Sequence, residues 1–129
     1  MKDFAVKTIL AILVVLAPIK SMMLVAGVLI AADLLSGLWA AHKSKVAITS
    51  AGLRRSITKM LVYQATIILA FLVEKYMLDN ALPLSKIASS FIGITELKSV
   101  LENLNIASGG NLLKDLISKL GSDNDKKEN

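Results

Sequence analysis

Residues 21–41, SMMLVAGVLIAADLLSGLWAA, run uncharged except at Asp33. A helix crossing the hydrocarbon core of a bilayer needs ~17–25 mostly apolar residues, and this stretch is the clearest such segment in the chain. Trp39 stands near its end, where aromatic belts lie. Three further apolar stretches accompany it. Residues 8–19 lie between Lys7 and Lys20 and extend back to Phe4, with Lys7 snorkelling to the surface. Residues 60–73 are an uncharged run inside a longer stretch from Thr58 to Leu78, with Tyr63 and Tyr76 near its ends. Residues 87–95 are uncharged and lead into Glu96, Lys98 and Glu102.

The pattern predicts an all-α, small polytopic membrane protein with three to four transmembrane helices and a C-terminal amphipathic helix. The expected spans are about 4–19, 21–41, 58–78 and 84–104, within a transmembrane domain over residues 1–110. An amphipathic helix over 111–120 and a charged, disordered tail over 121–129 follow. Apolar types at 54%, charged types at 19% and a mean hydropathy of +0.62 exclude a disordered chain. Two Pro and seven Gly speak for long helices rather than a turn-rich β fold. Pro18, Ile19 and Lys20 are expected to turn the chain tightly between the first two spans. A second register merges residues 9–32 into one helix, at the cost of enclosing Lys20 and Pro18. A secretory signal is the competing reading of the N-terminus, but a second apolar run follows it rather than a polar domain.

The net charge of +5 is concentrated in one place. Residues 42–59 carry Lys43, Lys45, Arg54, Arg55 and Lys59 and no acid, so the rest of the chain sums to zero. No aromatic residue is interleaved with these cations, which argues against a nucleic-acid partner. A cytoplasmic loop between spans, where Lys and Arg concentrate, accounts for them as topology determinants. The segment from Glu74 to Lys86 balances two acids with two bases and fits an outside loop.

No catalytic constellation is present. The chain has no Cys and one His, His42, and lacks phosphate-binding, nucleophile-elbow and HExxH motifs. Glu96 and Glu102 lie 240° apart around a helix and do not converge. The expectation is a non-enzyme with no metal and no cofactor.

Asp33 is the most informative residue. A charge at mid-membrane costs ~2.5–3.5 kcal/mol on insertion scales, and its face carries the small residues Ala32, Ser36, Gly37, Ala40 and Ala41. Small residues let helices approach closely, so Asp33 is expected to face another helix or water. Along its own helix it has no His or Lys neighbour. In the last apolar stretch, Ser85, Ser89, Gly93, Glu96, Ser99 and Asn103 share one face, with Ile87, Phe91, Ile94, Leu97 and Leu101 opposite. Such a polar stripe must pack on helices, line water or emerge at the interface. Gly109-Gly110 then ends the helix and Asn111 can cap the next, whose Leu112, Leu113, Leu116, Ile117 and Leu120 share a side.

These residues together resemble the phage-lysis and toxin-secretion holins. Members look like an apolar span ending Asp-x-x-[Thr/Ser]-Gly, a basic loop, two more apolar stretches and an asparagine–glutamate motif. Asp33-Leu34-Leu35-Ser36-Gly37 resembles the first signature, Ser50, Gly52, Arg54 and Lys59 the loop, and Glu96, Ser99, Glu102 and Asn103 the last. The chain departs from the pattern in Thr95 before Glu96 and in Gly109-Gly110 without a Pro. The resemblance covers roughly residues 25–120. It implies a pore former of the host bacterial cytoplasmic membrane that oligomerises with itself in lipid and releases an endolysin to the wall, causing host lysis. Asp33, Ser36, Gly37, Ser89, Gly93, Glu96, Ser99, Glu102 and Asn103 are the expected oligomerisation or pore residues. Two other readings stand beside it. One is a structural membrane or virion-associated scaffold without lytic activity. The other is a small transporter, which would show repeated halves that are absent here.

Overall fold

A computed structural model describes residues 1–125 of the chain. Among the described residues there are five α-helices: α1 Lys2–Leu16, α2 Lys20–Lys43, α3 Ser50–Tyr76, α4 Leu84–Ala107 and α5 Leu112–Asp125. The described residues contain no strand. Two helical stretches, Lys2–Lys43 and Ser50–Tyr76, are long and apolar enough to cross a membrane.

Helices α2, α3 and α4 form a three-helix bundle, in which α2 and α4 make the most extensive contact. The side-chain pairings fix their directions. Met23 and Asp33 of α2 meet Gln64 and Lys59 of α3, and Glu74 of α3 meets Ser85 of α4, so both pairs are antiparallel. Helices α2 and α4 therefore run parallel, with Leu29 beside Gly93 and Gly37 beside Asn103. Two turns set this course. Val46 N–H bonds back to the Ala41 carbonyl after α2, with Lys45 at φ 55°. After α3, Asp79 and Asn80 adopt φ of 46° and 62°, a conformation that Asn and Asp tolerate better than other side chains. The Glu74 carboxylate then takes the Ser85 N–H at 2.8 Å and its hydroxyl at 2.6 Å, capping α4 from a neighbouring helix.

The tight turn expected at Pro18-Ile19-Lys20 does not form. Residues 17–19 are a 3-10 turn that carries α1 on into α2, and α1 buries no residue. Pro18 sits at the start of that turn, where its missing N–H breaks little of the bonding and its fixed φ suits the helix. Lys20 N–H reaches the Ala17 carbonyl and the direction is kept. The basic segment is also less of a loop than expected: only residues 44–49 are non-helical, and Arg54, Arg55 and Lys59 stand on α3. At the C-terminus α5 runs on to Asp125, past the boundary expected at 120; Gly121 weakens a helix by ~1 kcal/mol without ending it. Residues 126–129 of the expected tail lie outside the described residues.

The bundle is sorted by polarity against the habit of proteins in water. Its apolar core is small: Ile19, Ala26, Ile67, Phe71 and Ile92, flanked by Met22, Met23, Ile68 and Leu72. On α4 the polar stripe faces inward and the apolar face outward. Glu96 is 0% exposed and Ser85 2%, whereas Phe91 is 70% and Ile94 67% exposed. Leu24, Leu35, Leu61 and Leu69 likewise stand outside on α2 and α3. Soluble monomers rarely expose apolar surface on this scale; in lipid the same surface is ordinary solvent contact.

Candidate functional site

The end of the bundle away from the apolar core holds a cluster of charged and polar side chains. Helix α2 supplies Asp33 and Ser36 one turn apart, and Gly37 beside them. The Ser36 hydroxyl donates to the Asp33 carbonyl at 3.0 Å, so it is satisfied within its own helix. A Cβ on Gly37 would stand 3.4 Å from the Asn103 amide nitrogen, at the tight end of ordinary contact. The Asn103 Nδ2 group donates to Asp33 Oδ1 at 3.0 Å, to the Asp33 carbonyl at 3.3 Å and to Ser36 Oγ at 3.2 Å.

Helix α3 adds the only cation of the cluster among the described residues. The Lys59 ammonium lies 2.7 Å from Asp33 Oδ2 and 3.1 Å from Glu96 Oε2, bridging α2 and α4. Its three donors in a flexible point charge suit two carboxylates that approach from different helices. The Glu96 side chain is 0% exposed, Asp33 12% and Lys59 23%. Glu96 Oε1 is buried without a hydrogen-bond partner among the described residues. Ser99 stands beside Asp33, and Tyr63 of α3 beside Glu96. Removing the ammonium would leave two carboxylates without a counter-charge in a low-dielectric interior, the costly half of the buried ion-pair balance, whereas removing one carboxylate leaves Lys59 paired with the other.

The residues singled out in the sequence divide into three groups. Asp33, Ser36, Gly37, Glu96, Ser99 and Asn103 come together in the cluster. Ser89 and Gly93 lie further along the α4–α2 seam. Ser89 donates to the Ser85 carbonyl at 2.8 Å, and a Cβ on Gly93 would meet Leu29 at 3.8 Å. Glu102 stands apart on the outer face, 3.7 Å from Lys98, with both side chains exposed. Of the basic residues, Lys59 belongs to the cluster, which sequence reasoning missed. One signal could have found it: Lys59 is the last cation before an uncharged run of α3, and Asp33 needs a counter-charge that its own helix lacks.

A second polar contact sits in the apolar half. Gln64 donates from Nε2 to the Met23 carbonyl at 2.9 Å, tying α3 to α2, while its Oε1 is buried without a partner among the described residues. Among the described residues no group of three His, Cys, Asp or Glu side chains could hold a metal ion. The cluster pairs helices α2, α3 and α4.

The family model of a bacteriophage holin family matches residues 8–122, most of the chain. No curated protein and no solved structure matches it.

Proposed function

Because the chain belongs to the bacteriophage holin family and is a holin-like membrane protein, we propose that it assembles with copies of itself in the host cytoplasmic membrane and opens lesions that release an endolysin. The observation that carries this reading is the reversed polarity of α4. Its outward Phe91 and Ile94 suit lipid, while its inward Glu96 and Asn103 are held by Lys59 and Asp33. A chain of 129 residues cannot enclose a wide pore alone, so a lesion needs many copies. In the dispersed state the polar faces satisfy one another inside one copy. In the lesion the same faces exchange partners between copies or line water.

In this reading three helices, α2, α3 and α4, cross the membrane, with residues 44–49 and α5 on the cytoplasmic side by the excess of Lys and Arg. The α1–α2 stretch of 42 residues is ~63 Å long at 1.5 Å per residue, about twice a ~30 Å hydrocarbon core. Helix α1 therefore lies obliquely in the outer leaflet unless the 17–19 joint bends to make a fourth span. Helix α5 lies on the inner surface with Leu116 and Ile117 in the lipid boundary.

Expression with a co-expressed endolysin tests the function. Growth should stop abruptly, with dye entry and cross-linked ladders of the chain. The second reading, a static scaffold, draws on the fact that the cluster is already paired within one copy; it predicts neither dye entry nor arrest. Impermeant thiol labelling tests the topology: Asn80→Cys and Lys2→Cys should react from outside, and Ser50→Cys should be protected. Protection of Lys2→Cys would mean four spans, and labelling of Ser50→Cys would reverse the orientation.

A further inference from the structure

Beside the ion-pair cluster, α2, residues 44–49, α3 and α4 leave a cleft of about 620 Å³. The Asp33–Lys59 pair lines it, together with the apolar Leu38, Ile48 and Leu53 and the cationic Arg55. Asp33 is the sole acid among the lining residues, and its carboxylate is met by Lys59 at 2.7 Å and Asn103 at 3.0 Å. Arg55 has neither a hydrogen-bond nor an ion-pair partner among the described residues. Helix α3 also opens without a side-chain cap and without an acid in its first turn, so no carboxylate of that turn competes for Arg55. A cleft that combines a guanidinium without a partner among the described residues and apolar side chains is complementary to an amphiphile with an anionic head.

We propose that this cleft seats the headgroup of an anionic phospholipid, with its phosphate on Arg55 and an acyl chain along Leu38, Ile48 and Leu53. The planar guanidinium matches a phosphate with two parallel hydrogen bonds, and basic pockets between spans on the cytoplasmic side hold such headgroups. The apolar side chains select the lipid over free phosphate, to which they offer no contact. The proposal rests on the reading above that α2, α3 and α4 cross the membrane with residues 44–49 at its cytoplasmic surface.

Native mass spectrometry of the full chain tests it, after reconstitution in vesicles of equal phosphatidylglycerol and phosphatidylcholine and release into non-ionic detergent. Phosphatidylglycerol should remain bound in preference to phosphatidylcholine. Arg55→Gln should lower its retention about fivefold, while Arg54→Gln, outside the cleft, should leave it within twofold. Equal retention of the two lipids, or equal losses in the two variants, would overturn the cleft as the site. Displacement of the lipid by inorganic phosphate alone would reassign it to a free anion and overturn the lipid. Carbonate extraction of the same vesicles separates the two readings. A chain that resists extraction yet prefers neither lipid defeats the cleft alone; a chain that carbonate strips away defeats the membrane placement on which the cleft depends.

Discussion

The two halves of the bundle hold their helices together by different physics. In one half Ile19, Ala26, Ile67, Phe71 and Ile92 pack without direction or partner preference. In the other, Lys59, Asp33, Glu96 and Asn103 are joined by bonds of 2.7–3.1 Å that exist in one geometry only. In water the first half would dominate. In lipid it does not, because acyl chains are as apolar as Ile67 or Phe71 and separating the helices exposes nothing that lipid fails to solvate. Specific association then falls to the polar half, whose groups have no equivalent partner in a hydrocarbon. The same property makes that half exchangeable: a second copy offers the same groups in the same arrangement, so partners can be traded without leaving a charge bare.

The difference between the two halves ranks five substitutions. Lys59→Leu should be the most damaging. It leaves the Asp33 and Glu96 carboxylates facing one another without a counter-charge, and unpairing a buried charge costs ~3–5 kcal/mol. Thermal unfolding in detergent should show the loss, and the protein should be degraded in cells. Glu96→Leu comes next, at ~1–3 kcal/mol for the missing hydrogen bond. It should give inserted protein with shortened cross-linked ladders and no dye entry; normal ladders and dye entry would reduce the α4 stripe to a plain interfacial helix.

Ile67→Ala sharpens the contrast from the other side. In a soluble core such a change costs ~2–5 kcal/mol. In lipid only the packing part remains, so the loss should be about half that and lysis should persist. A larger loss than for Glu96→Leu would break the ranking of the two halves. Smallest is Lys98→Leu, which removes only an exposed pair with Glu102; such pairs contribute ~0–1 kcal/mol, and lysis onset should not move. Asp33→Asn sits between these extremes. It keeps a partner for Asn103 and loses the charge that Lys59 meets, so insertion should persist while the onset of permeabilisation shifts.

Features repeated along one helix were legible in the sequence, and features shared between helices were not. The 100° period placed Glu96, Ser99 and Asn103 on one face of α4, and those side chains do turn inward together. The same period separated Glu102 from them, and it stands outside with Lys98. Lys59 escaped because its two partners are 26 and 37 residues away, and no local period encodes such a pairing. Its neighbours Arg54 and Arg55 made it look like one more loop cation. Pro18 misled for a related reason. Its sequence signal is a break, but a Pro at the head of a 3-10 turn changes the bonding pattern without reversing the chain. Whether α1 then turns back depends on what surrounds it, which the local sequence does not encode.

The central claim is that one copy pairs its polar faces internally before lysis and re-pairs them between copies afterwards. Leu29→Cys with Gly93→Cys tests it without touching the cluster, since a Cβ at Gly93 would lie 3.8 Å from Leu29 Cδ1, which places the two positions side by side on the α2–α4 seam. A short thiol-to-thiol cross-linker that enters cells, added before the onset of lysis, should join the two cysteines within one chain, and the locked protein should insert yet open no lesion. Cross-links that form only between chains at that stage, or lysis that proceeds on time with the seam locked, would contradict the account.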